Sequence, residues 1–446
     1  MKTIIEGNKN VIKLLGMQDC KADPYRLMKY VLIKECDDGL LLHNVITGRM
    51  VLLSDEEKHL ISTVPSEYCQ QKEDLVNGLF LVPERYDERD TVYKLRRILE
   101  RLFMPRNIES YVIFPTTDCN AKCYYCFENN LHHISMSSET SEKLVEYIVS
   151  HNEKRKVHLE WFGGEPLLSE NIITKICGML NDSGVDYYST MISNGYLFTP
   201  NLIERAVKYW KLNKVQITLD GTEDIYNSVK AYKNIKDSAF KIVMGNISDL
   251  LIANIQVVVR LNLDQHNYDD LKNLICILDE KFSHSSNFQV YVRTLQKDVG
   301  YSPLPRSRSI ERKLYSEQVE LSEWLNTLGL SRLDSKLPSL NFMRCVSDNS
   351  GMMVVYPDGR LYKCENVVES ESIGSIYTNQ EDETMKNMYK ERTEMDECKI
   401  CPLFPKCILL KRCPANEAYS SITCNYEINC YRKSMLYNYK VAKSKY

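Results

Sequence analysis

No stretch of the chain approaches the roughly 18 consecutive apolar residues of a membrane span. The opening Met1 to Gly7, MKTIIEG, lacks the basic-then-apolar order of a secretion signal. These two absences predict a cytoplasmic protein with no membrane partner. Charge of one sign is not in excess either: 57 basic residues against 60 acidic ones leave a net charge of -3, which excludes a nucleic-acid partner held by bulk charge. There is no low-complexity tract, and no repeat beyond an alternation of strand and helix patterns. At roughly 150 residues per domain, a chain of 446 residues implies two to four domains.

Cysteine is the residue in good supply. Of 16, three fall between Cys119 and Cys126, eight between Cys345 and Cys430, and five stand alone at Cys20, Cys36, Cys69, Cys177 and Cys276. The scattered ones read as small buried apolar residues. A disulfide framework wants a secreted and usually small chain, so thiols clustered in a reducing compartment point to metal.

Periodicity divides the chain into three. Residues 1–95 begin with strand patterns at Tyr30 to Cys36, Leu40 to Asn44 and Arg49 to Leu53. Ser54 with Glu57 reads as a capping box opening a helix to about Ser62, followed by a helix near Lys72 to Gly78 and a strand at Leu79 to Val82, together a winged-helix-like unit. Thr91 to Leu102 reads as a linking helix. Residues 107–325 alternate six apolar runs (Tyr111 to Pro115, Val157 to Phe162, Tyr187 to Ser193, Val215 to Leu219, Ile255 to Leu261, Phe288 to Arg293) with amphipathic helices. Parallel strands need such crossovers, so the fold class is α/β, a partial (β/α)6 TIM-like barrel. Residues 335–446 show little helical periodicity but dense Cys, Pro and Gly, a segment expected to be held together by something inorganic.

Cys119, Cys123 and Cys126 form C-x3-C-x2-C just after the first barrel strand, at the end where barrel enzymes place their chemistry. Three thiolates can hold three irons of a [4Fe-4S] cluster and leave the fourth open. A zinc site completed by His132 or His133 is the competing reading. With Tyr125 before the third cysteine, the motif resembles that of the radical S-adenosylmethionine (radical SAM) superfamily. Gly163-Gly164-Glu165-Pro166, after the second strand, is similar to the family's GGEP motif, which implies contact with the methionine ammonium of SAM. Ser193-Asn194 and Asp220-Gly221, at the ends of the third and fourth strands, stand where the family keeps polar contacts near the ribose and pocket, though turn chemistry would use the same residues. Arg260 and Asn262 resemble the family's RxN pattern near the cofactor. The resemblance implies reductive cleavage of SAM to a radical that abstracts hydrogen, with flavodoxin or ferredoxin as reductant.

The later cysteines resemble the SPASM extension of radical SAM enzymes: Cys345, Gly359 and Cys364, then Cys398, Cys401, Cys407 and Cys413, then Cys424 and Cys430. That implies two auxiliary [4Fe-4S] clusters, three clusters in all. By analogy Cys345, Cys364 and Cys413 hold the first, and Cys398, Cys401, Cys407 and a late cysteine hold the second. Spacing favours Cys430 over Cys424 as the late ligand. Five residues separate Cys407 from Cys413 where the family usually has three. Position 351, a cysteine in some relatives, is Gly here, so the first auxiliary cluster is expected to have an open iron.

These resemblances imply a maturase of ribosomally made peptides that installs a thioether from a cysteine sulfur to carbon. Residues 1–95 are expected to bind the precursor's leader by strand addition, even when separated from the barrel. Carbon-carbon cross-linking, epimerisation and sulfatase-type oxidation of Cys or Ser to formylglycine are the alternatives. Glu365, after Cys364, stands where sulfatase-maturing enzymes place an acidic catalytic residue. An iron-sulfur electron carrier is the reading without catalysis, and the full SAM-binding set argues against it.

Overall fold

The computed structural model describes residues 1–15, 24–153, 155–233, 237–295, 308–331, 337–340, 346–366, 369–378, 380–407, 409–410 and 421–444. Cys20, Cys345 and Cys413 lie outside them.

Strands β1 (Lys2–Ile5), β2 (Val31–Cys36), β3 (Gly39–Asn44) and β4 (Met50–Leu53) form an antiparallel sheet in the order β1-β4-β3-β2. Gly39 makes the hairpin turn at φ +136, where a Cβ would sit 2.0 Å from the Leu53 carbonyl. Strand β1 is an addition to the three expected. The strand expected at Leu79 to Val82 forms at Leu81–Pro83 and pairs with Tyr25–Leu27, outside this sheet. Half of the anticipated capping box is made: the Ser54 amide donates to Glu57 Oε2 at 2.9 Å. It opens a short 3-10 turn, Glu56–Lys58, before a single helical turn. The linking helix α1 (Glu88–Phe103) starts earlier than expected because the Asp87 carboxylate accepts the Asp90 amide at 2.9 Å and caps it.

The middle of the chain runs β5 (Ser110–Thr116), α2 (Ser138–Ser150), β6 (Val157–Gly163), α3 (Glu170–Asp182), β7 (Tyr187–Ser193), α4 (Pro200–Trp210), β8 (Leu212–Leu219), α5 (Glu223–Lys230), α6 (Ala239–Ile252), β9 (Gln256–Leu263), α7 (Tyr268–Phe282), β10 (Phe288–Thr294) and α8 (Arg308–Thr327). The six strands pair in parallel and in sequence order, a TIM-like core. Alternate residues face opposite ways. In β6 the outward set Val157, Leu159 and Trp161 is buried beneath the helices, while His158, Glu160 and Phe162 point inward and remain partly open. Helix α4 shows how the helices seat: Thr199 caps it, Pro200 occupies its first turn, and Leu202, Ile203, Ala206 and Trp210 bury one stripe. Helix α5 was not anticipated.

The C-terminal hairpin pairs β11 (Met352–Val355) with β12 (Arg360–Tyr362), as the Pro357-Asp358-Gly359 turn suggested, with Gly359 at φ +85. Strand β11 also lies parallel beside β5, so the hairpin and β13 (Gly374–Ser375) extend the barrel sheet. Val112 and Phe114 pack there with Val354, Tyr356 and Tyr362. The region contains a long helix, α9 (Ser421–Lys443), which corrects the expectation of little helical structure, and its segments share apolar cores with the rest of the chain. The N-terminal sheet is not an independent body either: Leu32, Leu41, Val45, Met50 and Leu52 share a core with Leu403, Met435 and Tyr439. Phe404 stacks on Tyr30, with ring centroids 6.0 Å apart. An isolated fragment of residues 1–95 would expose that face.

Candidate functional site

The loop from Thr117 to Ser135 folds back on the end of β5. The Thr117 amide donates to the Ile134 carbonyl at 2.9 Å, and the Thr117 hydroxyl donates to the His132 carbonyl at 2.7 Å. Cys119, Cys123 and Cys126 sit on this loop, each partly buried. Burial pushes Cys119 and Cys126 up to about 12 and raises Cys123, so these thiols stay protonated unless a cation draws them into the thiolate form. His132 lies 2.9 Å from Glu369 Oε1 and His133 3.0 Å from Asp118 Oδ1, and both side chains are well exposed.

The GGEP segment is fitted against the same loop. A Cβ on Gly163 would lie 2.4 Å from the Thr116 carbonyl, and one on Gly164 would lie 2.2 Å from the Asp118 carbonyl. The Glu165 amide donates to that Asp118 carbonyl at 2.8 Å. Only glycine lets the two backbones approach so closely. The Glu165 side chain is fully buried and accepts from the Ser193 hydroxyl at 2.9 Å, the Asn194 amide at 2.8 Å and the Leu167 amide at 3.2 Å. Burial nevertheless pushes it up to about 7. Pro166 is buried beside it. The Asn194 side chain turns to the cysteine loop and donates to Asn120 Oδ1 at 2.7 Å.

A second buried carboxylate, Glu128, is pushed up to about 8 by burial and then by Glu165, and its Oε1 has no hydrogen-bond partner. Two buried carboxylates within electrostatic reach of each other, one with an orphaned oxygen, suit a cationic ligand. SAM presents such a group; these carboxylates, the glycine cradle and the three thiols are the residues that would hold a [4Fe-4S] cluster and SAM, while among the described residues no three His, Cys, Asp or Glu side chains are gathered into a ready-made metal site.

Behind the loop, Lys230 at the end of α5 is 2% exposed. Its Nζ lies 3.1 Å from Asp220 Oδ2, an ion contact whose angle makes no hydrogen bond. It donates to the Thr218 hydroxyl at 2.7 Å and to the Tyr125 hydroxyl at 3.1 Å. Asn262 Nδ2 donates to Asp220 Oδ1 at 3.0 Å and to the Tyr125 hydroxyl at 2.9 Å. The Lys122 amide donates to the Lys230 carbonyl at 2.8 Å. Strands β8 and β9 thereby hold the cysteine loop from beneath.

Arg260 does not join this group. It lies opposite Thr218 and Tyr291 in register, two residues below Asn262 and therefore roughly 7 Å deeper in the barrel. Its charge is felt by Tyr291 and by Glu365. Glu365, half-buried, is pushed up to about 7 by burial and the Glu160 carboxylate, with Arg260 opposing. The barrel thus has a polar interior of Glu160, Gln216, Arg260, Tyr291 and Glu365 below the cysteine loop, with the Tyr291 hydroxyl donating to Gln216 Oε1 at 3.0 Å.

Lys230, Glu128 and Glu160 were not singled out from the sequence. One signal was legible for Lys230, which stands four residues after Tyr226 on the buried side of α5. The other two offer none.

Of the later cysteines, Cys364, Cys398, Cys401, Cys407, Cys424 and Cys430 are described, all partly buried. Cys430 lines a cleft between α8 and α9 with Arg312 and Glu320, and a second cavity with Lys406, Glu427 and Tyr431.

Residues 113–275 match the model of the Radical SAM superfamily. The barrel is a radical SAM domain. Among curated proteins, the uncharacterized protein MJ0907 of Methanocaldococcus jannaschii is 30% identical over 144 residues, 32% of this chain and 49% of that one. The radical SAM cyclopropyl synthase TigE of Paramaledivibacter caminithermalis is 24% identical over 270 residues, 50% of this chain and 56% of that one. The chain thus spans about half the length of the curated relatives it matches. The fold is similar to anSMEcpe with bound AdoMet, with a TM-score of 0.58 at 17% identity over 76% of this chain and 100% of that one. It is also similar to Streptococcus suis SuiB bound to precursor peptide SuiA, with a TM-score of 0.53 at 13% identity over 89% of this chain and 97% of that one. No helix among the described residues is long and apolar enough to cross a membrane.

Proposed function

We propose that this radical SAM enzyme matures a ribosomally made precursor peptide and closes an intramolecular bond from a cysteine sulfur to a carbon of another residue. The observation that carries a peptide substrate is the outer edge of the N-terminal sheet. Among the described residues β2 pairs only with β3. Lys34 on it lines a cleft of about 690 Å³ with Arg312, Asn429 and Lys433. A leader strand added along that edge, beside α9, would pair with the outer backbone groups of β2, and the cleft would supply side-chain selectivity. The fold shared with SuiB over 89% of this chain supports the reading.

Within it, residues 1–95 recognise the leader, 107–325 form the radical SAM barrel and 335–446 form a SPASM domain. Cys119, Cys123 and Cys126 hold the SAM-binding cluster. Cys345, Cys364 and Cys413 hold a first auxiliary cluster, and Cys398, Cys401, Cys407 and a late cysteine hold a second. Flavodoxin or ferredoxin supplies electrons. When bound, cluster and SAM supply a one-electron cleavage that removes a hydrogen atom from an unactivated C–H bond. Glu165 and Glu128 receive the cofactor's ammonium group, Ser193 and Asn194 fix Glu165, and Asp220 with Lys230 and Tyr125 anchors the loop. Arg260 and Glu365 line the deeper polar interior and position the substrate residue. To form the thioether, the peptide would give up one hydrogen atom to the bound cofactor, one proton to solvent and one electron to an auxiliary cluster.

The test is incubation of reconstituted full-length enzyme, reductant and SAM with a leader-bearing, cysteine-containing peptide. The product should lack two hydrogens and one alkylatable thiol. An aldehyde in place of the thiol would instead establish formylglycine formation. A two-hydrogen loss with every thiol intact would establish carbon-carbon cross-linking.

A further inference from the structure

Below the cysteine loop, the inward faces of β5, β6 and β7 carry a continuous line of hydrogen-bonded side chains. Ser110 stands opposite His158 in register, and Glu160 opposite Thr190. The Thr190 hydroxyl donates to Glu160 Oε2 at 3.4 Å, which leaves its oxygen to accept from His158. Nε2 of His158 lies 2.8 Å from that oxygen and therefore carries the ring hydrogen, so Nδ1, 2.9 Å from Ser110 Oγ, accepts from the Ser110 hydroxyl. One tautomer satisfies all three bonds, and each donates toward Glu160. The ring stacks on Tyr188 with centroids 4.8 Å apart, which holds it in the plane where both nitrogens meet their partners. From Glu160 the line descends two residues along the strands, about 7 Å, away from the cysteine loop. It ends at half-buried Ser110, the first residue of β5. Burial and then Lys214 lower His158 to about 4, so near neutral pH the ring is uncharged and moves a proton by exchanging tautomers. Glu160 is faced by Lys214 from β8, by Glu365 from the segment after β12 and by Val112 from β5. Burial raises its carboxyl, with Lys214 and Thr190 opposing.

We propose that Glu160, Thr190, His158 and Ser110 form a proton path that joins the barrel interior to solvent at the end away from the SAM-binding loop. The path deepens the function proposed above and rests on that reading for the source of the proton. The substrate's S–H bond breaks, sulfur keeps the electron pair, and the proton goes to the Glu160 carboxylate. With Glu160 protonated, every bond in the line reverses and His158 carries its hydrogen on Nδ1. Glu160 then gives its proton to Thr190, Thr190 passes one to Nε2, Nδ1 one to Ser110, and Ser110 one to water. One O–H bond breaks at Glu160, one forms in solvent, and no electron moves along the line.

The test is nitrogen NMR of anaerobically reconstituted full-length enzyme labelled at histidine, with the His158 signals assigned by His158→Gln. With Glu160 ionised, His158 should be neutral and carry its hydrogen on Nε2. Lowering the pH through the titration of Glu160 should move that hydrogen to Nδ1 while the ring stays neutral. Thr190→Val should abolish the switch, and Thr190→Ser should restore it. A charged imidazole at about pH 7, a tautomer that never changes as Glu160 titrates, or a switch that persists in Thr190→Val overturns the path. With the leader-bearing, cysteine-containing peptide, Thr190→Val should slow thioether formation about tenfold or more, and Thr190→Ser should recover the rate. An unchanged rate in Thr190→Val overturns the path's part in the reaction. Wild type that shows the tautomer switch but forms no thioether upholds the path and defeats the function proposed above instead.

Discussion

Lys230 is the group whose removal should be felt most sharply beneath the cysteine loop. Replacing it with Met keeps the length of the chain but leaves the Asp220 carboxylate, 2% exposed, with Asn262 and no cation. Breaking a buried pair on one side costs about 3–5 kcal/mol. The lost donors to Thr218 and Tyr125 belong to the same event. Asp220→Asn should cost a similar amount, because it leaves the ammonium uncompensated. The double variant, Lys230→Met with Asp220→Asn, has no buried charge and keeps an acceptor for Asn262, so it should cost no more than about 2 kcal/mol. The two single effects then fail to add by about 4 kcal/mol or more. Trp161 and Trp210 are fully buried in the barrel, so their fluorescence through a urea titration of the apoprotein reports the relevant unfolding. Additivity to within about 0.5 kcal/mol would refute the coupling.

Four further outcomes are expected. Gly164→Ala drives a Cβ to 2.2 Å from a backbone carbonyl that cannot step aside, so it should abolish SAM binding by calorimetry and lower iron retained by the loop. Glu165→Gln and Glu128→Gln each remove a buried carboxyl proposed to meet the ligand's ammonium group. Each should weaken SAM binding about 10- to 100-fold, the range of a hydrogen bond to a charged group. Burial lowers His43 from 6.5 to about 4, so the unfolded chain takes up the proton first as pH falls. Stability is full above about 6.5 and declines toward 4, with about 2 kcal/mol lost by pH 5; urea titrations of wild type and His43→Gln should show that slope flattened in the variant. Lys34→Glu reverses a charge in the cleft beside β2 and should change leader affinity about tenfold, measured on the full-length enzyme.

The chemistry-bearing motifs were legible because they are local. C-x3-C-x2-C and GGEP each follow a strand whose alternation or continuous apolar run marks it. The glycines announce the close approach that the structure then displays at Thr116 and Asp118. What stayed hidden depends on distant partners. Lys230 sits among Asn227, Ser228 and Ala231, in a helix that reads as solvated, and only the ends of β8 and β9 make it a buried charge. Helix α9 escaped notice because two cysteines and several tyrosines blur its apolar stripe. The core shared by Leu32, Met50, Leu403 and Met435 joins segments more than 350 residues apart. The strand pattern of the N-terminal sheet shows that a face must be covered but not by what.

The most direct test is reductive cleavage of SAM by the loop at Cys119, Cys123 and Cys126. Full-length enzyme, reconstituted with iron and sulfide and reduced under anaerobic conditions, should convert SAM to 5′-deoxyadenosine. The Cys119→Ala, Cys123→Ala, Cys126→Ala triple variant should form none while keeping about eight irons in its auxiliary sites. A triple variant that still produces 5′-deoxyadenosine, or a wild-type enzyme with a full complement of iron that produces none, would contradict the assignment.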